Sequence, residues 1–247
     1  MHLYSCFVIT EEGGKMMTKW RLLLGMFFIL FMPSVFLADT SEAAWGTSTV
    51  DSTTSVFTGE FDSIAVGTSG AVYISYYDAT NTALMYATNG GGSWGTTTVD
   101  STGNTGQYTS IAVGTSGAAY ISYYDVSNFK LMSATNVSGS WGTTTIDSAN
   151  GTRTGQYTSI EVGTSGAAYI SYYDVTNTNL MYATNVSGSW GTTTVDSTTS
   201  DDTGAYSSIA VGTSGAVYIS YYDVTNGNLM YATKAVGGSW GTSTLDS

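Results

Sequence analysis

Four times the sequence places two tyrosines directly before an aspartate: Tyr76-Tyr77-Asp78, Tyr123-Tyr124-Asp125, Tyr172-Tyr173-Asp174 and Tyr221-Tyr222-Asp223. A tyrosine offers a flat apolar ring with a polar tip, which suits a sugar ring as well as a buried interface. An aspartate in this position can open a turn by accepting backbone N–H groups two residues ahead. A ring of such carboxylates could also hold Ca²⁺ through oxygen ligands, but one acid per turn without an acidic neighbour is a poor cage. One tyrosine of each pair must pack between repeats. We therefore take the other, with its aspartate, as the ligand-binding candidates: Tyr77 and Asp78, Tyr124 and Asp125, Tyr173 and Asp174, Tyr222 and Asp223.

Catalytic chemistry is harder to assemble. The only Cys (Cys6) and the only His (His2) lie near the start of the chain, ahead of every repeat. Nucleophilic Cys/His catalysis and a zinc site of the usual N/S type are thereby excluded from the repeats, and no metal or cofactor is expected. Paired carboxylates can hydrolyse glycosides, yet acid and base roles need carboxylates in different environments. Asp78, Asp125, Asp174 and Asp223 are one position written four times. Glu161 is the one carboxylate inside a strand signal, where the other copies carry Ala65, Ala112 and Ala210. The expectation is that the chain is not an enzyme. From Asp51 onward fourteen acids face only Lys130, Arg153 and Lys234, a balance that repels phosphate backbones and argues against nucleic acid as a partner.

What must position these residues is a repeat. Trp45, Trp94, Trp141, Trp190 and Trp240 follow one another at intervals of 49, 47, 49 and 50 residues, and such a period marks a solenoid, propeller or array. Each copy holds four strand signals separated by turn signals. In the second copy these are Tyr108 to Val113 (A), Ala118 to Tyr124 (B), Leu131 to Thr135 (C) and Ser140 to Asp147 (D). In strand B, Val72, Ile74 and Tyr76 alternate with Tyr73, Ser75 and Tyr77; successive side chains point to opposite faces, so both faces are apolar or aromatic and both need covering. Strand A is rich in small residues, as a crowded axis would require. The fold class expected is all-β, a β-propeller of four four-stranded antiparallel blades. The blades fall at about 61–100, 108–147, 157–196 and 206–247, within a domain of residues 44–247. An extra outer strand at 45–52 makes the count uneven. Either four blades close and that strand is surplus, or the ring is longer, or two chains pair through an unpaired strand or an incomplete ring.

Residues 1–43 read as a leader. Lys19 and Arg21 precede the apolar run Leu22 to Ala38, with small residues after it at Ser41 and Ala43, the order of a cleaved secretory signal. This predicts a secreted or cell-envelope protein that is free of the membrane after cleavage, although the run is almost long enough to span a bilayer as an anchor.

The segment Ala87-Thr-Asn-Gly-Gly-Gly-Ser-Trp94 resembles the Asp-box, Ser-x-Asp-x-Gly-x-Thr-Trp, of sialidase-like propellers. Asn89 stands for the Asp, Gly91 for the Gly, Ser93 for the Thr and Trp94 for the Trp. Ala87 replaces the leading Ser, and Ser138 and Ser187 replace the Gly in two other copies. The wider unit is similar to the blade repeats of exported bacterial propeller proteins. The resemblance implies a turn between strands C and D, with the Trp packed on its own blade. A sialidase of that family needs an arginine cluster, whereas the repeats contain Arg153 alone, so sialidase activity is not expected. Differences between copies gather in the B–C turns and D–A connections, which emerge on one face of a meander, and loops on a rigid scaffold are where binding usually sits. The reading is a binding module for glycans or a cell-surface partner through that face. The alternatives are a glycoside hydrolase-like enzyme fragment and a purely structural module of a larger surface protein.

Overall fold

A computed structural model describes residues 46–52, 57–148, 153–197 and 201–247. The leader and Trp45 lie outside the described residues. Residues Thr47–Ser247 form one compact unit, all-β, of sixteen strands in four separate antiparallel sheets.

Each sheet is one repeat. Blade 1 is β1 (Thr58–Val66), β2 (Val72–Asp78), β3 (Ala83–Thr88) and β4 (Gly95–Asp100). Blade 2 is β5 (Thr105–Val113), β6 (Ala119–Asp125), β7 (Lys130–Thr135) and β8 (Gly142–Asp147). Blade 3 is β9 (Thr154–Val162), β10 (Ala168–Asp174), β11 (Asn179–Thr184) and β12 (Gly191–Asp196). Blade 4 is β13 (Thr203–Val211), β14 (Val217–Asp223), β15 (Asn228–Lys234) and β16 (Trp240–Asp246). Strands pair in chain order within each blade. The first strands form the inner row, β1 against β5, β5 against β9 and β9 against β13. This is the four-bladed propeller arrangement expected from the repeat.

Three differences from the sequence reading have local causes. The inner strand starts three residues before the Tyr108 boundary, at Thr105, because a bulge lies inside it: the β5–β6 register shifts between Thr105 and Gln107 and again between Gln107 and Ser110. Residues 46–52 form no strand, and among the described residues no strand of a preceding blade lies beside them. Asp51 nonetheless accepts the Tyr76 hydroxyl at 2.6 Å, as Asp100 accepts Tyr123 (2.7 Å), Asp147 accepts Tyr172 (2.7 Å) and Asp196 accepts Tyr221 (2.6 Å). The segment thus holds the place of a preceding blade's outer-strand end. Finally, Trp141 and Trp240 pack across the blade junction, not on their own blade alone. Trp141 meets Tyr86 of blade 1 at 4.9 Å, and Trp240 meets Tyr182 of blade 3 at 5.1 Å. The corresponding partner of Trp190 is the small Ser133, which offers no ring.

The core lies between blades. Leu84 and Tyr86 of blade 1 are buried against Ile111, Ile121 and Tyr123 of blade 2. The same positions recur between blades 2 and 3, and between blades 3 and 4. Burying side chains of this size contributes roughly 1.5–3 kcal/mol each. Glycines set the approach: a Cβ on Gly106 would lie 2.7 Å from Leu84 Cα, on Gly155 2.7 Å from Leu131 Cα, and on Gly204 2.6 Å from Leu180 Cα. Buried hydroxyl pairs tie the same junctions, from Thr109 to Ser75 (2.9 Å), Thr158 to Ser122 (2.8 Å) and Ser207 to Ser171 (2.9 Å). Among the described residues no helix is long and apolar enough to cross a membrane.

Candidate functional site

The site begins at the bulge in each inner strand. Every copy opens Thr-Gly-x-aromatic: Thr58-Gly-Glu-Phe61, Thr105-Gly-Gln-Tyr108, Thr154-Gly-Gln-Tyr157 and Thr203-Gly-Ala-Tyr206. The glycine takes a positive φ, and so does the aromatic: Phe61 52°, Tyr108 53°, Tyr157 50° and Tyr206 54°. Bulky residues rarely adopt this left-handed conformation, and holding one there costs on the order of 1–3 kcal/mol. The expense is repeated four times at one position, and its result is a continuous aromatic ladder. Ring centroids step from Phe61 to Tyr108 at 4.9 Å, to Tyr157 at 4.8 Å and to Tyr206 at 4.3 Å.

The ladder borders a cavity of about 260 Å³, whose other walls are Asp62, Thr109, Thr158 and Ser207. Its end ring, Tyr206, is 67 % exposed, and Phe61 at the other end is 40 % exposed. Burial, together with the flanking Tyr206 and Tyr108 hydroxyls, pushes the Tyr157 phenol well above its ordinary range. The ladder offers phenol hydroxyls from its three tyrosines and the ring faces of all four residues. Asp62 is the single carboxylate on the cavity wall, where the other copies carry hydroxyls.

The sequence-predicted tyrosines stand directly behind this ladder. Tyr77, Tyr124 and Tyr173 lie 6.2 Å from Phe61, Tyr108 and Tyr157 respectively, and all three are buried. The Tyr77 hydroxyl donates to Asn104 Oδ1 at 2.8 Å and that of Tyr173 to Asp202 Oδ1 at 2.5 Å. These bonds fasten each blade to the loop that opens the next. Burial raises the Tyr124 phenol, while Gln156 and Arg153 work against the rise. Tyr222, in blade 4, is 38 % exposed.

The four aspartates are buried and serve their turns. Asp78 Oδ1 accepts the Thr80 and Asn81 N–H groups at 3.0 Å each, and its Oδ2 accepts Asn81 Nδ2 at 2.7 Å. Asp174 repeats the full set with Thr176 and Asn177. Asp125 and Asp223 accept from Asn128 and Asn226 in the same way. The structure thus brings the predicted residues to the blade ends that adjoin the ladder. The ladder's own rings were missed by sequence reasoning. Their signal was present in the recurring Thr-Gly-x-aromatic, but nothing in residue type reveals a bulge that turns the ring into a cavity.

Glu161 sits half-buried, and desolvation raises its carboxyl above the ordinary range against a bond from the Val162 N–H. Opposite the ladder face, a cleft of about 340 Å³ opens between the Gly163-Thr-Ser165 and Gly212-Thr-Ser-Gly215 turns, beside Lys234. Lys234 replaces the asparagine that elsewhere accepts a strand N–H, as Asn89 does from Val72 at 2.7 Å. Among the described residues no three metal-ligating side chains gather.

No family model matches this sequence, and no curated protein matches it. Solved structures do. A protein of unknown function from Dyadobacter fermentans aligns at a TM-score of 0.58 and 10 % identity, over 77 % of this chain and 70 % of that one. Aleuria aurantia lectin, bound to Fucα1-6GlcNAc, aligns at 0.52 and 16 % identity, over 75 % and 61 %. An α-L-arabinofuranosidase from Fusarium graminearum aligns at 0.54 and 11 % identity, over 76 % and 66 %. The chain is a β-propeller. At these identities the likeness carries the fold alone, and the chain spans well under the full length of each neighbour.

Proposed function

We propose that this propeller is an exported, non-enzymatic glycan-binding module, and that it holds sugar rings on the aromatic ladder Phe61–Tyr108–Tyr157–Tyr206. The carrying observation is the ladder itself: four aromatics kept in left-handed backbone at one repeated position, with the end ring open. Strain of this kind concentrates where a ligand is clamped, and tyrosine rings with their hydroxyls suit the apolar faces and polar edges of sugars. Tyr77, Tyr124 and Tyr173 back the ladder and hold it rigid. The exposed Tyr206 hydroxyl and the carboxylate of Asp62 would meet the sugar's hydroxyls, while Thr109, Thr158 and Ser207, buried and donating to Ser75, Ser122 and Ser171, form the wall behind. The reading is supported by the fold being one that a fucoside-binding lectin shares. The absence of catalysis is supported by where the repeat's carboxylates are spent, on tyrosine hydroxyls and turn amides. Export to the cell surface or beyond rests on the leader.

The test is a glycan microarray probed with the full chain, followed by calorimetry on whichever oligosaccharide scores. Binding that disappears in Tyr206→Ala supports the assignment. A silent array, or hits indifferent to Tyr206 and Tyr157, removes it.

A further inference from the structure

Blade 1 and blade 4 are the two open halves of an interface that the chain makes three times internally. Position by position, blade 4 presents outward what blades 1, 2 and 3 present to the next blade. Leu84, Leu131 and Leu180 are fully buried, whereas their counterpart Leu229 is 47 % exposed. On the other side, Ile111, Ile160 and Ile209 are buried, whereas Ile64 of blade 1 is 64 % exposed. Gly59 keeps the positive φ of Gly106, Gly155 and Gly204, but a Cβ there meets nothing within 4 Å, while the others lie against a leucine.

From these matched halves we infer that the free face of blade 4 docks on the free face of blade 1 in a second copy of this chain. The occupant is argued from continuity with the internal junctions, whose leucine–glycine, serine–isoleucine and aspartate–tyrosine contacts have their pairs on the two free faces; the Tyr77–Asn104 bond does not, since Phe57 stands at that position of blade 1. Leu229 would close over Gly59, as Leu131 does over Gly155. Ser208 Oγ would accept the Ile64 N–H, as Ser63 accepts Ile111 (3.2 Å), Ser110 accepts Ile160 (3.2 Å) and Ser159 accepts Ile209 (3.3 Å). Ser220, counterpart of Ser75, would donate to Asp62. Asp246 would take the Tyr76 hydroxyl from Asp51, an exchange of like for like at that hydroxyl.

The contact is head to tail, so it closes a ring of copies or runs on as an open series, according to the angle between blades. One replacement weakens it. Asp62 stands where blades 2, 3 and 4 carry Thr109, Thr158 and Ser207, and burying a carboxylate under a single hydroxyl is costly. With Glu60 beside it and a net charge of −12 on each chain, the junction also works against repulsion that salt screens. This inference does not rest on the glycan reading, but the two share Asp62, whose carboxylate a docked Ser220 would take from the sugar.

Sedimentation velocity on the full chain, across a range of concentration and salt, tests it. Expected are particles of more than one chain mass that grow with concentration and with salt. Ile64→Lys and Leu229→Lys, both at surface positions of the single chain, should each abolish association. Mixing the two variants should restore a single junction, blade 4 of Ile64→Lys on blade 1 of Leu229→Lys, and stop at a 1:1 pair. Asp62→Thr, which installs the residue of blades 2 and 3, should strengthen association without lowering the urea midpoint of the dilute single chain, which separates it from aggregation of a misfolded variant. A single-chain mass for both the wild type and Asp62→Thr at the highest soluble concentration overturns the inference. So does association that survives Ile64→Lys and Leu229→Lys.

Discussion

Replacing Gly155 by alanine puts the blade-to-blade packing on a quantitative footing. Gly155 has φ +105°, and a Cβ there would fall 2.7 Å from the Leu131 Cα and 2.8 Å from its Cβ, both on the neighbouring blade. Two costs add. An L-residue held in left-handed backbone loses about 1–2 kcal/mol, and overpacking against a fixed backbone costs about 1–3 kcal/mol. Gly59→Ala separates the two terms. Its φ of +93° carries a similar backbone cost, but nothing lies within 4 Å of the new methyl. Urea unfolding of both variants, at dilutions where the chain is alone, should show Gly155→Ala less stable than Gly59→Ala by about 1–3 kcal/mol, with an unchanged denaturant slope. Equal losses in the two variants would refute the claim that blades 2 and 3 meet backbone to backbone at this point.

Two further outcomes follow from the tyrosine–aspartate bonds. Tyr123→Phe removes the donor to the buried Asp100 carboxylate and should lower stability by about 1.5–3 kcal/mol, the range for a hydrogen bond to a charged group, read as a shift in urea midpoint. Alkali should act through the buried phenols. Burial raises the Tyr123 and Tyr172 phenols beyond their ordinary range, with Asp100 and Asp147 adding to the effect, and pushes Tyr182 up to about 12. A raised folded-state pKa means the folded chain keeps a proton that the unfolded chain releases. Their contribution is therefore complete below the unfolded value near 10 and is lost as pH rises above it. Phenolate absorbance from these residues should then appear together with loss of near-ultraviolet circular dichroism. A separate, earlier rise from them would contradict the buried bonds.

Much of the architecture was legible because the repeat leaves little freedom. The tryptophan interval set the blade length, and the alternation Val72, Ile74, Tyr76 against Tyr73, Ser75, Tyr77 showed a sheet covered on both faces. Turn chemistry was legible for the same reason, since Asp78 and Asn81 are local partners three residues apart. What escaped depends on distant atoms. The bulge at Gly106 lets Leu84 of the neighbouring blade lie against that glycine, and no spacing within one copy reports a contact between copies. The sequence reading singled out Tyr77 and passed over Phe61. Only the register of the inner strand puts Phe61 at the cavity and Tyr77 behind it. An incomplete ring was one reading of the uneven repeat count, but the residues left uncovered were not legible, because Leu229 and Leu180 are the same residue in the same phrase.

The central claim, that the ladder and not the tyrosine layer behind it meets the sugar, is tested most directly by calorimetry with an array-selected oligosaccharide on wild type, Tyr206→Ala and Tyr222→Ala. Both rings are exposed, so both variants should fold. The ladder account predicts that Tyr206→Ala weakens binding by roughly tenfold or more, about 1.4 kcal/mol, while Tyr222→Ala leaves the affinity unchanged. Loss of binding in Tyr222→Ala with Tyr206→Ala unaffected would contradict it.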